Sequence, residues 1–259
     1  MLSKNRIKFI NSLKKKKFRE KHRQFIIEGD KMVREFINSN YVINQIISTE
    51  KWLELIPSNL EMPSEKVEFV KPSELKKLSA FKTPANVLAI VHFQDYQLLF
   101  EEITENITII LDSINDPGNM GTIIRSASWF GINNIICSPD CVDIYNPKVL
   151  QATMGALCSV HVFYEELVPL LKKYSDETDF PIYGTFPAGN SIYELELSSK
   201  GFIILGNESR GISEKYLAFI NQKLSIPSFP SCKNRAESLN VSTATAIILS
   251  EFRRRIRNL

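Results

Sequence analysis

A chain of 259 residues with 44% hydrophobic residues is long enough for one large or two modest globular domains. Its net charge of +3 is too small to establish a polyanionic partner. No apolar run approaches the length of a membrane span, and the basic N-terminus lacks the apolar core of a signal peptide. We therefore expect a cytoplasmic, globular protein that has no membrane partner.

Positive charge is concentrated at the two ends of the chain. The C-terminal group consists of Arg253, Arg254, Arg255 and Arg257. The N-terminal group is opposed only by Glu20 and comprises Lys4, Arg6, Lys8, Lys14, Lys15, Lys16, Lys17, Arg19, Lys21 and Arg23. Such clusters suit the phosphates of a nucleic acid or an anionic membrane surface. Each cluster alone is equally consistent with a solvated helix face.

The cysteines and histidines do not indicate a metal site. The four cysteines, which are Cys137, Cys141, Cys158 and Cys232, lack the paired spacing of zinc ligands. The three histidines stand far apart in the sequence, at His22, His92 and His161. We predict core or surface thiols and no bound metal.

The chain divides into two units, residues 1–93 and 107–259, joined by a polar, acidic linker over 94–106. In the first unit, helical patterns alternate with short apolar runs at 25–27, 45–47, 67–70 and 87–91. One helix is predicted over 31–38, and another begins at Pro72, whose fixed φ suits a first helical turn. This pattern predicts a small α/β domain of about 90 residues.

The second unit is built from continuous apolar runs, which lie at 107–111, 134–137, 159–163, 181–185, 202–205 and 224–226. Continuous runs indicate strands that are covered on both faces, as in a parallel sheet with flanking helices. In such sheets the ligand binds beyond the carboxyl ends of the strands. The loops after Leu111, Leu205 and Ile226 are therefore the places to seek chemistry.

The first of these loops, 112–116, leads into a helix that is predicted to reach about Phe130. Asn119 is expected to cap the start of that helix. Helical side chains lean toward the N-terminus, so Arg125 is expected to lie over Gly121, which leaves room for a guanidinium. A solvated helix arginine is the alternative interpretation of Arg125.

The second and third loops carry further polar residues. Gly206-Asn207-Glu208-Ser209-Arg210-Gly211 follows a buried strand, and its glycines allow the backbone to approach a ligand closely. A polar turn before a helix capped by Ser213 is the alternative. The third segment begins at Ile226-Pro227 and resumes at Ser238-Leu239-Asn240-Val241-Ser242. Ser238 could be a helix cap alone, whereas Asn240 is a poor helix former.

In order and spacing, these segments resemble the three signature motifs of the SpoU (TrmH-like) family within the SPOUT class of RNA methyltransferases. Asn119-x-Gly121-x-x-x-Arg125 is similar to the first motif, and the other two segments are similar to the second and third. The resemblance covers essentially all of 107–259. Residues 14–93 resemble the substrate-binding domain of many members, which is similar to small ribosomal proteins that bind folded RNA.

The resemblance implies a C-terminal parallel-sheet SPOUT domain with a trefoil knot, preceded by a smaller α/β RNA-binding domain. It also implies a homodimer that acts on structured RNA with S-adenosylmethionine as cofactor. The catalytic residues that it implies are Asn119, Arg125, Glu208, Ser238 and Asn240. The cofactor-binding residues that it implies are Thr185, Phe186, Pro187, Gly206, Asn207, Gly211, Ile226, Pro227, Ser238 and Leu239.

In the family, the arginine of the first motif is held to activate a ribose 2′-hydroxyl. An arginine is effectively always protonated in proteins, so we prefer Arg125 as a phosphate clamp that stabilises the developing alkoxide. The proton of the ribose hydroxyl could leave through Arg125, Glu208 or water, and the sequence does not choose among them. Two departures stand out, namely Ser209-Arg210, where many relatives have smaller residues, and the charged stretch 232–237.

The RNA is expected to be ribosomal rather than transfer RNA, because the shorter transfer-RNA enzymes of the family lack the accessory domain. One alternative is a catalytically inactive RNA-binding protein that keeps the fold. Another is a methyltransferase that acts on a base or a small molecule. The basic ends and the extra domain favour RNA over the latter.

Overall fold

A computed structural model of the protein describes residues 2–57, 60–176, 180–229 and 237–257. The chain forms two compact units, one of Met1–Asp95 with Asp143–Cys158 and one of Tyr96–Val142 with Ser159–Leu259. The segment Asp143–Cys158, which the sequence pattern places in the second domain, thus groups with the N-terminal unit. The precise domain boundaries stay a prediction.

The N-terminal unit contains a four-stranded sheet in the order β1-β4-β2-β3. Its strands are β1 (Gln24–Glu28), β2 (Ile43–Ser48), β3 (Val67–Phe69) and β4 (Val87–His92). Strand β4 runs antiparallel to β1 and β2, and β3 runs parallel to β2. Each strand coincides with a predicted apolar run, so the small α/β domain expected here is confirmed.

Helices cover both faces of this sheet, because the apolar strand residues alternate between the faces. The helices are α1 (Lys4–Ser12), α2 (Lys16–His22), α3 (Asp30–Ile37), α4 (Glu50–Leu53), α5 (Pro72–Leu78) and, in the inserted segment, α8 (Pro147–Thr153). Ile10 of α1 and Leu78 of α5 pack with Leu88 and Ile90 of β4. On the other face, Phe36 of α3 packs against Phe25, with ring centroids 5.9 Å apart.

The C-terminal unit contains a six-stranded sheet in the order β10-β8-β9-β5-β6-β7, with parallel neighbours throughout. Its strands are β5 (Ile107–Leu111), β6 (Asn134–Cys137), β7 (His161–Tyr164), β8 (Ile182–Ser191), β9 (Gly201–Leu205) and β10 (Gln222–Ser225). Every residue of β5 and β9 is buried. The parallel sheet predicted from continuous apolar runs is therefore confirmed.

The helices of this unit are α6 (Phe100–Glu105), α7 (Pro117–Trp129), α9 (Leu167–Ser175), α10 (Glu214–Leu217) and α11 (Val241–Arg257). Helix α6 lies inside the stretch that the sequence suggests as a linker. In the N-terminal unit, short 3₁₀ turns lie at Ser64–Lys66 and Ala156–Cys158. Among the described residues, none of the helices has the length and apolarity that a membrane span needs.

Strand β8 is longer than predicted and contains a bulge. Gly184 lies opposite Lys223 of β10, yet the next paired residue, Leu224, lies opposite Asn190. Residues 185–189 are thus looped out between two paired sections. At Gly189 a side chain would bring its Cβ within 2.9 Å of the backbone oxygen of Lys223. The glycine therefore allows β8 to pair with β10 again after the bulge. The bulge contains three of the predicted cofactor-binding residues, Thr185, Phe186 and Pro187.

Three arginines of the C-terminal cluster bind the protein itself rather than forming a free basic patch. Arg253 donates to the backbone oxygens of Phe130 and Gly131 at 2.6 and 2.7 Å, which satisfies carbonyls at the end of α7. Arg254 and Arg255 both donate to Glu251, which is buried. The side chain of Arg257 lies outside the described part. The arginines therefore stabilise α11 and its contact with α7.

We predict that this arginine pair makes the contribution of Glu251 to stability dependent on pH. Hydrogen bonds from Arg254 and Arg255 lower the pKa of Glu251 to about 2. A depressed pKa stabilises the folded protein above the ordinary glutamate value near 4.3, and that stabilisation disappears as pH falls toward 2. Glu251→Gln should therefore unfold several degrees below the wild type at pH 7, since hydrogen bonds to a charged group contribute roughly 1.5–3 kcal/mol.

Thermal unfolding followed by circular dichroism between pH 7 and pH 2 measures this effect. The difference between Glu251→Gln and the wild type should shrink below about pH 4.5 and vanish near pH 2. Glu196→Gln, at an exposed position with no ion pair to the described residues, provides the control and should match the wild type throughout. A difference that is constant with pH would contradict the ion-pair explanation.

Candidate active site

Helix α7 begins earlier than the sequence interpretation places it. Pro117 is its first residue, and Asp116 caps it by accepting the N–H of Asn119 at 2.8 Å. The expectation that Asn119 is the cap is therefore wrong. The physical reason is that proline suits the first helical position, which makes the residue before it the cap. The side chain of Asn119, inside the first turn, is thereby available for other contacts.

Asn119 joins all three motifs by its side-chain amide. Its Nδ2 donates to Oε1 of Glu208 at 2.6 Å, and its Oδ1 accepts from Nδ2 of Asn240 at 2.8 Å. Asn240 in turn accepts the backbone N–H groups of Ser242 and Thr243, at the start of α11. The topology thus brings together residues that lie 89 and 121 positions apart in sequence.

The direction of these hydrogen bonds is fixed by the backbone. Because Oδ1 of Asn240 faces two backbone donors, its Nδ2 must face Asn119, whose own Nδ2 then faces Glu208. Glu208 ends the chain as an acceptor. Its second oxygen, Oε2, has no hydrogen-bond partner among the described residues, and the side chain is exposed.

Arg125 lies further along α7 and is exposed. It makes no hydrogen bond or ion pair with any residue that the structure describes, in contrast to the arginines of α11. Gly121, one turn before it, is buried. Among the described residues, nothing prevents the guanidinium from binding an external anion, and it lies on the same helix as Asn119.

The second motif forms a tight turn that presents Glu208. The backbones of Asn207 and Gly211 exchange two hydrogen bonds, of 3.0 and 2.8 Å, and Gly211 has a φ of +70°. Nδ2 of Asn207 donates to the backbone oxygen of Ser113, which ties this turn to the first motif loop. Ser209 and Arg210 donate their N–H groups to Oδ1 of Asn207, and both residues are exposed.

Gly206 is required by the turn itself. A Cβ at this position would lie 2.2 Å from the carbonyl carbon of Gly211 and 2.3 Å from the nitrogen of Ile212. Any side chain would therefore collide with the chain's own backbone. The sequence suggests that the glycine admits a ligand, and the structure adds that it first lets the turn fold back on β9.

Asp112 is a site residue that the motifs do not single out. It is buried and accepts the N–H of Ser213 at 2.7 Å and the hydroxyl of Ser113 at 2.9 Å. These bonds fasten the loop after β5 to the loop after β9. An ionisable residue directly after a fully buried strand of predominantly apolar residues is the signal that identifies it. Ser213 takes the N-cap position of α10, but its side chain makes no capping hydrogen bond.

Most of the predicted cofactor-binding residues lie in the bulge of β8 or directly after the neighbouring strands β9 and β10. Thr185 donates its hydroxyl to the backbone oxygen of Ile204 at 3.0 Å, and Phe186 packs against the apolar core of the unit. Ile226 and Pro227 are half-buried, and Pro187 is exposed. The third motif is only partly positioned, because Ser238 and Leu239 are exposed and Ser238 makes no hydrogen bond to the described residues.

The described cysteines lie within the fold. Burial raises the pKa of Cys137, and the Cys137 thiol lowers the pKa of Cys141, whose buried sulfur also accepts the N–H of Ile114. Burial raises the pKa of Cys158 to about 12. In the part of the chain that the structure describes, no three histidine, cysteine or acidic side chains cluster as metal ligands. Cys232 and the rest of 232–236 lie outside the described residues.

Comparison with solved structures defines the fold class first. The SpoU methyltransferase AviRb of Streptomyces viridochromogenes, solved with AdoMet, superposes with a TM-score of 0.82 over 98% of this chain and 99% of its own, at 21% identity. A protein of Porphyromonas gingivalis that is assigned to the TrmH family of RNA methyltransferases reaches 0.87 over 98% and 99%, at 36% identity. The chain therefore has the SpoU-type α/β fold.

Residues 106–250 match the SpoU rRNA Methylase family, and residues 4–89 match the MRM3-like substrate binding domain. The protein belongs to the SpoU rRNA methylase family. Over 249 residues, 96% of either chain, it is 27% identical to the 23S rRNA (guanosine(2553)-2′-O)-methyltransferase of Bacillus subtilis. The family and the fold class inferred from the motifs are confirmed, whereas the knot stays a prediction.

Proposed function

We propose that this protein methylates a ribose 2′-hydroxyl of ribosomal RNA and uses S-adenosylmethionine as the methyl donor. The observation that carries the proposal is the hydrogen-bonded chain from Asn240 through Asn119 to Glu208. Asn119 lies on α7, the helix that also presents Arg125, and Arg125 has no partner among the described residues. Family membership and the ribosomal substrate in the name of the Bacillus subtilis relative support the choice of RNA.

The edge formed by β8, β9 and β10 fits the cofactor. Backbone groups of Gly206, Ile226 and Leu239 form no hydrogen bond with any described residue, so they can serve the polar edge of an adenine. Bound there, S-adenosylmethionine supplies a methyl group on a positively charged sulfur. The residues that would hold it are Thr185, Phe186, Pro187, Gly206, Asn207, Gly211, Ile226, Pro227, Ser238 and Leu239.

The protein's own side chains divide the work on the RNA. The planar fork of Arg125 binds the target phosphate and stabilises negative charge on the ribose oxygen. Asn119 and Asn240 position Glu208 by the hydrogen bonds described above, and we propose that Glu208 orients Arg125 or the partner chain once RNA is bound. Because Arg125 cannot accept a proton, Oε2 of Glu208 and solvent water are the groups to which the hydroxyl proton can go. Ser238, with Asn119 and Asn240, is proposed to hold Arg125 and the ribose in position.

The N-terminal unit is proposed to bind the folded RNA that carries the target ribose, in keeping with its match to a substrate-binding domain. We also propose a homodimer, a trefoil knot in the C-terminal unit and a cytoplasmic location. Ribosomal RNA is preferred over transfer RNA. The competing proposal, a catalytically inactive RNA-binding protein, is disfavoured by the intact hydrogen-bonded set of Asn119, Glu208 and Asn240.

Incubation of the purified protein with methyl-tritiated S-adenosylmethionine and protein-free ribosomal RNA tests the proposal. Tritium should enter the ribosomal RNA but not transfer RNA, and the labelled nucleotide should resist alkaline cleavage on its 3′ side, because its 2′-hydroxyl is blocked. Label on a base would contradict ribose chemistry. Absence of both labelling and cofactor binding by calorimetry would favour the inactive RNA-binding protein.

A further inference from the structure

The basic N-terminal stretch separates into side chains that bind the protein and side chains that do not. Arg19 is buried and donates to Asp143 and to the backbone oxygen of Leu13. Four other basic side chains also have partners in this unit. Arg6 donates a hydrogen bond to the side chain of Gln45, and Lys14 donates one to the backbone oxygen of Ser79. Lys16 forms an ion pair with Glu20, and Arg23 forms one with Asp95. The stretch is therefore not a uniform basic surface.

Helix α1 lies along α5, held by polar contacts near both of its ends. The N–H of Leu2 donates to Glu74 at 2.8 Å, and Nδ2 of Asn11 donates to the backbone oxygen of Lys77 at 3.1 Å. Positions three, four and seven residues apart share one side of a helix, so Lys4 and Lys8 lie on the same side as Asn11. Both lysines are exposed, on the flank of α1 that borders α5.

Two more exposed lysines extend this flank. Lys77 is on α5, where its backbone contacts Asn11, and Lys15 follows Lys14, whose ammonium binds the oxygen of Ser79 just after α5. The nearby carboxylate of Glu74 is buried and accepts two backbone N–H groups. Among the described residues, none of Lys4, Lys8, Lys15 and Lys77 forms an ion pair, although the charge of Lys77 interacts at longer range with the buried Glu74 carboxylate. Their positive charge is therefore only partly compensated by the protein.

The opposite side of the sheet differs in charge. There α3, α4 and the C-cap of α4 carry basic and acidic residues together, namely Lys31, Arg34 and Lys51 with Asp30, Glu35, Glu50 and the capping Glu54. Asp30 pairs with Arg34 and accepts from Trp52. A polyanion is attracted to a surface with uncompensated positive charge and gains little from a mixed one.

We propose that Lys4, Lys8, Lys15 and Lys77 form a lysine face that binds backbone phosphates of the RNA substrate. Lysines act as point charges on phosphates, so the face contributes affinity and orientation without selecting bases. That the bound RNA is a methylation substrate rests on the function proposed above. The face itself predicts binding that weakens with salt, because each neutralised phosphate releases counterions.

The test compares two double variants with equal loss of charge. Lys8→Gln with Lys77→Gln alters the lysine face, and Lys31→Gln with Lys51→Gln, also at exposed positions, is the matched control. The probe is protein-free ribosomal RNA, with dissociation constants measured over a range of salt. The first pair should weaken binding on the order of tenfold and reduce the salt slope by about 1.5, whereas the control pair should stay within about twofold.

Methyl transfer by the same proteins separates this proposal from the proposed function. The lysine-face pair should raise KM and leave kcat unchanged at saturating RNA. If the wild type transfers no methyl group but its RNA binding depends on the lysine face, the proposed function fails and the face stands. If the wild type methylates RNA and the two pairs weaken binding equally, or neither does, the lysine face is overturned. Circular dichroism checks that every variant is folded.

Discussion

Arg125→Lys is expected to lower turnover on ribosomal RNA by on the order of a hundredfold or more, almost as much as Arg125→Ala. Lysine keeps the positive charge but loses the planar fork that can hold a phosphate and a ribose oxygen together. The side chain of Arg125 is exposed and has no partner among the described residues. Neither substitution therefore removes a contact that stabilises the fold, and both variants should unfold at the wild-type temperature.

Single-turnover assays on the RNA and calorimetric titration with S-adenosylmethionine measure the two halves of this expectation. Cofactor affinity should be normal in both variants. Arg210→Lys and Arg210→Ala are the controls, because Arg210 is also an exposed arginine, in the turn of the second motif. These controls should change turnover by no more than a few-fold. A near-normal rate for Arg125→Lys would mean that a point charge suffices, and a loss of cofactor affinity would put Arg125 on the cofactor side.

The strands of the C-terminal unit could be predicted because burial alone determines their sequence. A strand covered on both faces is mostly apolar, and 107–111 and 134–137 carry that signal at the observed bounds of β5 and β6, although each contains one buried polar residue, Thr108 or Asn134. The bulge in β8 has no such signal. Its register depends on how Leu224 pairs with Asn190, which the local sequence does not encode.

The sequence predicted which residues form the candidate site but not the hydrogen bonds that join them. The motifs name Asn119, Glu208 and Asn240, yet which amide donates to which oxygen depends on backbone groups of α11. The same limit applies to charge, since Arg19 and Arg253 look like surface cations in sequence. One is buried against Asp143, and the other binds the backbone at the end of α7. Composition counts charges without showing which ones the fold neutralises.

The amide chain predicts a second large effect, at Asn119. Asn119→Asp keeps the oxygen that accepts from Asn240 but replaces the donor to Glu208 with a second oxygen. Two carboxylates then face each other at hydrogen-bond distance, and the hydrogen bond to a charged group, roughly 1.5–3 kcal/mol, is lost. We expect the melting temperature to fall by several degrees and turnover to fall on the order of a hundredfold.

Combining Asn119→Asp with Glu208→Gln distinguishes the hydrogen bonds from the position of the charge. In this double variant the new glutamine amide can donate to one oxygen of the new aspartate, while the other oxygen still accepts from Asn240. The chain of bonds is then complete again, with the single carboxylate moved to the middle of it. The melting temperature should return close to that of the wild type. Turnover should remain at least about tenfold low, because the carboxylate that is proposed to orient Arg125 has moved. Full recovery of turnover would show that Glu208 acts only as a hydrogen-bond acceptor, and an unrecovered melting temperature would contradict the bond directions assigned to Asn119 and Asn240.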